Sequence, residues 1–322
     1  MGGVKVPIFI IPVIVFFTMS SEGAMGSPQA IKGAYYPSWS EILLPSDIDT
    51  TLFTHIFYAF LSPDNNTYKF KVSDFTGILL TNFTTILHQK ASPVKTLVSF
   101  AGVNGDKQFY ARMVSQPVTR GIFINSAIDV ARRYGFDGLD LDWEFPQTTQ
   151  EMEDLGQLFD EWRHAINEEA SLTRRPSLLL TAAVTGAHAL LYDPTSNIST
   201  SYGLNSWLGA GLPRTMLVIR LPQYGRTWQL KDPNVNGIGA PAVGPGPING
   251  VLTFRQLERR NEENGATVVF DPQTVSTYSY AGTLWVGYDD MNPTAAKLSY
   301  AKNLKLRGYF FWALSFDNEW KL

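Results

Sequence analysis

The 322 residues are 44% hydrophobic and 13% aromatic, enough apolar material for one large core or two small ones, and nothing in the composition points to disorder. A formal net charge of −3 without any basic run lacks the electrostatic footprint that a phosphate backbone requires, so nucleic acid is excluded as an expected partner. With no cysteine, neither disulfides nor thiolate chemistry contribute, and stability has to come from packing.

Residues 1–26 carry Lys5, the apolar run Val6 to Phe17 and the small-residue stretch Ala24-Met25-Gly26, the pattern of a signal peptide; an uncleaved anchor is the alternative reading, though the run is short for a bilayer span. The expected product, 27–322, is then secreted, extracellular or vacuolar, and free of the membrane. Asn65-Asn66-Thr67, Asn82-Phe83-Thr84 and Asn197-Ile198-Ser199 are sequons compatible with that route.

Strand-like runs follow at Ile31–Tyr35, Leu52–Leu61, Thr96–Phe100, Gly138–Phe145, Leu178–Val184, Met216–Leu221 and Tyr309–Leu314. Between them lie helical patterns at Asp74–Ala91, Arg120–Tyr134, Thr149–Ala170 and Thr294–Leu306, with Pro117 and Gly135 punctuating the second. This alternation predicts an α/β fold, a (β/α)₈ TIM barrel, except that seven runs are visible where closure needs eight. The shortfall falls at 185–215. A helix, a strand and another helix need roughly 45 residues there, and only Leu204–Gly211 has helical character. From about 226 to 289 the period changes to short strands around Asn249-Gly250 and Ala281-Gly282, plus a helix at Thr253–Asn264 opened by a Thr253/Gln256 capping box. That stretch reads as a small α+β insertion before the last barrel unit, with the Gly/Pro-rich 237–250 as loop. The four histidines, His55, His88, His164 and His188, show no metal-ligand spacing and are read as structural.

The chemistry concentrates in Asp137-Gly138-Leu139-Asp140-Leu141-Asp142-Trp143-Glu144. Strand alternation puts Asp140, Asp142 and Glu144 on one pleat, with Leu139, Leu141 and Trp143 on the other. A column of acids inside a barrel is costly when ionised, so a proton is expected to be shared along it, leaving the outermost acid, Glu144, as a general acid. The competing readings are a solvated acidic turn and a metal site made of the same three acids. A metal would want ligands from other strands, which no histidine pattern supplies, so no metal and no cofactor are expected.

This segment resembles the DGxDxDxE signature of family 18 glycoside hydrolases. Further segments are similar to the plant class V chitinases: Lys32-Gly33-Ala34-Tyr35-Tyr36-Pro37, Thr54-His55-Ile56-Phe57-Tyr58-Ala59-Phe60, Tyr224-Gly225-Arg226-Thr227-Trp228, and Gly308-Tyr309-Phe310-Phe311-Trp312-Ala313-Leu314. The resemblance covers nearly all of 27–322, as one catalytic domain. It implies a retaining, substrate-assisted hydrolysis of β-1,4-linked N-acetylglucosamine polymers, with Glu144 as proton donor, Asp142 orienting the acetamide and Asp140 sharing a proton with Asp142. It also implies Trp312 as floor of the reactive sugar site. Tyr36, Tyr58 and Trp228 are further substrate-binding candidates, each with ordinary core packing as its competing reading. The expected partner is chitin or its oligosaccharides, taken by a monomer; the alternative function is a chitinase-like, lectin-like carbohydrate-binding protein without turnover.

The sequence departs from that family at four places. The sixth-strand Met-x-Tyr-Asp motif is missing, and its expected place coincides with the shortfall near Val184-Thr185-Gly186. The SxGG pattern stands as Ser99-Phe100-Ala101-Gly102. Arg220 and Gln223 replace a glycine and an apolar residue on the penultimate strand, and an Arg there needs an acid or access to solvent. The chain ends at Glu319-Trp320-Lys321-Leu322, short of the family's last helix.

Overall fold

A computed structural model describes residues 4–5, 30–102, 105–183, 190–194 and 198–322. Apart from Val4–Lys5, the expected signal peptide lies outside the described residues, as do the Val184-Thr185 junction, His188 and Asn197. The chain divides into two compact units, Phe16–Val184 and Thr185–Leu322 with Met1–Val15. The first strand, β1 (Val4–Lys5), is described with the second of these.

In the first unit the order is β2 (Ile31–Pro37), β3 (His55–Leu61), α1 (Asp74–His88), β4 (Lys95–Ala101), α2 (Lys107–Val114), α3 (Pro117–Arg133), β5 (Gly138–Asp142), α4 (Thr149–Thr173) and β6 (Leu179–Ala182). The five strands pair in parallel, β2 to β6 in sequence order, as βαβ connections require. The helix starts are legible in local chemistry. The Ser73 hydroxyl accepts from the Thr76 N–H, and the Thr148 hydroxyl accepts from the Glu151 N–H, each satisfying a donor that the first turn leaves open. Helix α3 begins at Pro117 rather than Arg120 because proline has no N–H to lose in a first turn. Helix α2, capped by Asp106, has no counterpart in the sequence reading.

Register decides which side chains face which layer. Tyr36, Tyr58, Val98 and Leu139 form one cross-strand row; Ser99, Asp140 and Thr181 form another on the opposite pleat. The first row packs under the helices: Tyr58 meets Phe83 of α1 edge-on at 5.1 Å, and on the same side Phe100 sits against Phe123 of α3 and Trp162 of α4. Each such buried aromatic contributes on the order of 2–3 kcal/mol. Gly138 is required by close approach, since a Cβ there would lie 2.6 Å from the Cβ of Leu179.

The second unit holds α5 (Thr200–Gly209), β7 (Val218–Pro222), β8 (Tyr224–Leu230), β9 (Pro241–Pro245), the single turn α6 (Pro247–Gly250), β10 (Val251–Thr253), α7 (Phe254–Glu263), β11 (Thr267–Asp271), β12 (Ser276–Ala281), β13 (Leu284–Tyr288), α8 (Met291–Asn303) and β14 (Gly308–Trp312). Strands β14 and β7 are parallel. The others form an antiparallel sheet in the order β1-β9-β8-β13-β12-β11, with β10 also on β8. Helix α7 starts with both halves of the expected Thr253/Gln256 capping box. The stretch read as loop at 237–250 contains β9, whose prolines stand at its two ends. Lys297 of α8 and Asp289, both buried, form an ion pair that ties the helix to the end of β13.

Seven parallel strands are thus present among the described residues, five in one unit and two in the other, with no strand between β6 and β7. The shortfall deduced from run lengths is the same.

Candidate functional site

Strand β5 is buried along its whole length, and it carries Asp140 and Asp142 with no solvent exposure at all. Hydroxyls from three other strands converge on Asp140. Tyr35 of β2 donates its hydroxyl to Oδ2 at 2.7 Å, Ser99 of β4 donates to the same oxygen at 2.6 Å, and Thr181 of β6 donates to Oδ1 at 2.6 Å. Burial raises the Asp140 pKa, with the three hydroxyls opposing it. Asp140 is therefore a group that holds a proton above the ordinary carboxylate range, one strand residue pair below Asp142.

Asp142 pairs across the sheet with Ala101, and its carbonyl accepts from the Gly102 N–H at 2.8 Å. Burial first, and then the Asp142 charge, raise the phenol of Tyr110 on α2. Glu144 lies two residues beyond the end of β5 and is half-buried, so it reaches solvent where Asp140 and Asp142 do not. The graded exposure, two enclosed acids followed by an accessible one, is what proton donation to a bound molecule needs.

Ala101 takes φ = +82°, a left-handed backbone that favours glycine, and the neighbouring Gly102 takes +80°. The alanine that interrupts the SxGG pattern is therefore strained by roughly 1 kcal/mol.

The remaining sequence candidates separate. Tyr36 and Tyr58 are corrected: both are buried on the pleat opposite to Asp140, stacked among Phe83 and Phe136, so they belong to the layer under α1. The parity of Tyr35 and Tyr36 shows why the neighbour was missed: adjacent residues face opposite sides, and the one aligned with the acids is Tyr35. Ser99 and Thr181 were equally legible from period two once register with Asp140 is known. Trp39, just past β2, was also missed; it is 56% exposed and stacked on Phe60 at 6.0 Å, a flat apolar face turned to solvent.

In the second unit Trp312 ends β14, half-buried, packed beside Tyr224 and Trp285. Trp228 lies against the same cluster and pairs with Trp285 across the sheet, which fits core packing. Arg220 is only 6% exposed, with its guanidinium carbon 5.9 Å from the Tyr224 ring centre and 5.6 Å from that of Trp312. Two aromatic faces thus accommodate the cation in the barrel strand. Among the described residues no group of three or more His, Cys, Asp or Glu is placed to hold a metal ion, and no helix is long and apolar enough to cross a membrane.

The sequence pattern of glycosyl hydrolases family 18 matches residues 32–188 and 184–317, two stretches that meet at the place where the strand is missing. Nod factor hydrolase protein 1 of Medicago truncatula is 43% identical over 345 residues, covering 92% of this chain and 89% of the relative. The class V chitinase CHIT5a of the same plant is 40% identical over 367 residues, covering 98% and 95%. Both alignments run longer than the 322 residues present here, so the relatives carry a segment without a counterpart. Among solved structures, a GH18 chitinase from Cycas revoluta in complex with (GlcNAc)₃ matches at TM-score 0.83, 37% identical over 89% of this chain and 96% of that one. The chitinase-like agglutinin of Robinia pseudoacacia matches at 0.84, 35% identical over 91% and 97%.

Proposed function

We propose, for a chain that belongs to the family 18 glycosyl hydrolases, that it cleaves β-1,4-linked N-acetylglucosamine polymers with retention of configuration and Glu144 as proton donor. The single observation that carries this reading is the gradient in exposure along β5 and the two residues after it, from a caged, proton-holding Asp140 through an enclosed Asp142 to an accessible Glu144. The relatives named as chitinases and the solved chitinase in complex with (GlcNAc)₃ support the same substrate class.

In the first step Glu144 gives its proton to the glycosidic oxygen. The substrate's acetamide oxygen bonds to the anomeric carbon as the bond to the leaving sugar breaks, which yields a positive oxazolinium ring. Asp142 orients the acetamide and balances that charge, helped by the proton that Asp140 retains. Water then adds to the anomeric carbon, its proton returns to Glu144, and the acetamide is released. No cofactor or metal enters any step. Trp312 serves as sugar platform, and Trp39, exposed and stacked on Phe60, has a face fit for a pyranose ring.

The likeness to an agglutinin favours a second reading, carbohydrate binding without turnover, because the described residues hold seven parallel strands where a closed barrel has eight. Hydrolysis of chitotetraose by wild type and Glu144→Gln decides between them. The enzyme reading expects turnover by wild type and a loss of at least 10²-fold in the variant; equal rates remove Glu144 as donor, and tight binding with no turnover by either leaves the lectin-like reading.

Secretion as a monomeric, membrane-free glycoprotein with a role in plant defence completes the proposal. Asn65, exposed in a turn, suits a glycan better than Asn82, whose sequon partner Thr84 is buried in α1 and donates to the Tyr134 carbonyl.

A further inference from the structure

Surface helices ordinarily turn charged residues to solvent. Helix α5 does not: none of Thr200–Gly209 is charged, and its exposed positions, Tyr202, Asn205, Ser206 and Gly209, have the spacing of one helix face. The segment before α5 is tied to its first turn, since the Thr200 and Ser201 N–H groups donate to the Leu190 and Leu191 carbonyls at 2.9 and 3.0 Å. The Leu191 and Tyr192 N–H groups in turn donate to the Thr274 carbonyl. Tyr192 is thereby held beside the start of α5, 43% exposed, with Tyr202 at 48%. Its ring meets Tyr300 of α8 edge-to-face, with 6.0 Å between centres and 88° between planes, and Asn205 Nδ2 donates to the Tyr300 hydroxyl at 3.4 Å. The charges close by in the chain are withdrawn: Asp193 is half-buried, and Lys297, one turn before Tyr300, is buried against Asp289.

We propose that Tyr192, Tyr202 and Tyr300, with Asn205 and Ser206, form a second carbohydrate surface, which holds chitin by its pyranose faces and shares no residue with the acids of β5. This rests on the reading of chitin as substrate. A pyranose carries C–H bonds on its faces and hydroxyls around its rim, so tyrosine rings beside an amide and a hydroxyl meet both halves of its chemistry. The polymer is uncharged, and so is this face; a strongly acidic or basic partner would find no counter-charge on it. Insoluble chitin presents many chains at once. A second contact on the same particle is then intramolecular and multiplies retention, while a short soluble oligosaccharide gains nothing from it.

The test measures retention on insoluble chitin in the Glu144→Gln background, where the polymer stays intact, and chitotetraose turnover in the wild-type background. Each is read with and without the pair Tyr192→Ala and Tyr202→Ala. Affinity for insoluble chitin is expected to weaken by about tenfold or more, with chitotetraose kcat/KM within about twofold. Tyr202→Phe, which keeps the ring, should be retained like its parent. Should the pair misfold by circular dichroism, Tyr202→Ala alone, at an exposed helix position, carries the test with a loss of about threefold. Retention and turnover that fall together overturn the inference, because a merely structural role moves both. A dimer in solution that the pair of substitutions dissolves, with retention unchanged, gives the face to a second copy of the chain instead. The two readings also fail differently. A parent protein that neither cleaves chitotetraose nor is retained on chitin removes the proposed function and this surface with it, whereas turnover without retention, or retention that the substitutions leave unchanged, removes the surface alone.

Discussion

Replacing Asp140 by Asn should make the protein more stable and less active, and the two effects should have different pH dependences. Asp140 is fully buried and its pKa is raised by that burial. For an acid whose folded pKa lies above the unfolded value, the stabilising balance is complete below the unfolded pKa, near 4, and is lost as pH rises through the folded pKa. Within that window the unfolded state has released the proton and the native state has not, so stability falls by about 1.4 kcal/mol per pH unit from this one group. The side-chain amide introduced by Asp140→Asn cannot ionise, and the three hydroxyls can reorient to serve its oxygen and nitrogen. The advantage of the variant over wild type should therefore grow by that slope, or about 2 °C or less per kcal/mol in Tm for a chain of this size. Thermal unfolding of both proteins from pH 4 upward reads the difference, in which all other titrating groups cancel. Turnover of chitotetraose by the variant should fall at every pH, since the proton is no longer available to share with Asp142. A difference in Tm that stays flat from pH 4 to 8, or one that increasingly favours wild type, would refute the claim that the three-hydroxyl cage holds a protonated acid.

Three other outcomes follow from the same structure. Ala101→Gly relieves roughly 1 kcal/mol of positive-φ strain beside Asp142 and gives back about 0.4 kcal/mol or more in added freedom of the unfolded chain, so it should stabilise by about 0.5 kcal/mol or less in chemical denaturation. Burial pushes Asp137 up, but His88, the Thr96 N–H and Lys95 draw it down to about 2. Its contribution is present above pH 4 and lost as pH falls through 2, so Asp137→Asn should cost about 2 kcal/mol at neutral pH, and the penalty should vanish in acid titrations near pH 2. Lys297→Met leaves Asp289 buried without its cation and should destabilise by about 3–5 kcal/mol in urea unfolding, whereas the double variant with Asp289→Leu should recover most of that loss.

The fold was legible because its signals are local and repeated. Runs of apolar residues gave the seven parallel strands, the interval 185–215 was too short for the eighth, and Thr253 with Gln256 announced α7. Asp140 and Asp142 were legible for the same reason, as alternate residues of β5, with Glu144 two residues past its end. What stayed hidden depends on other strands. Tyr35 looks no different from Tyr36 until register places one over Asp140 and the other over Phe83. Strand β9 was read as loop since proline and glycine dominate it, and only pairing with β8 makes it extended. Arg220 was recognisable as an anomaly, but its two aromatic neighbours come from residues 224 and 312.

The hydroxyl cage also has a kinetic meaning. Its three hydrogen bonds bridge 105, 41 and 41 positions along the chain and draw on β2, β4 and β6 at once. Contacts of such long reach reward the chain only after the intervening loops have closed. The arrangement that tunes the acid should accordingly be among the last things to form in refolding, with helical signal returning early and hydrolytic competence appearing only when all four strands have docked.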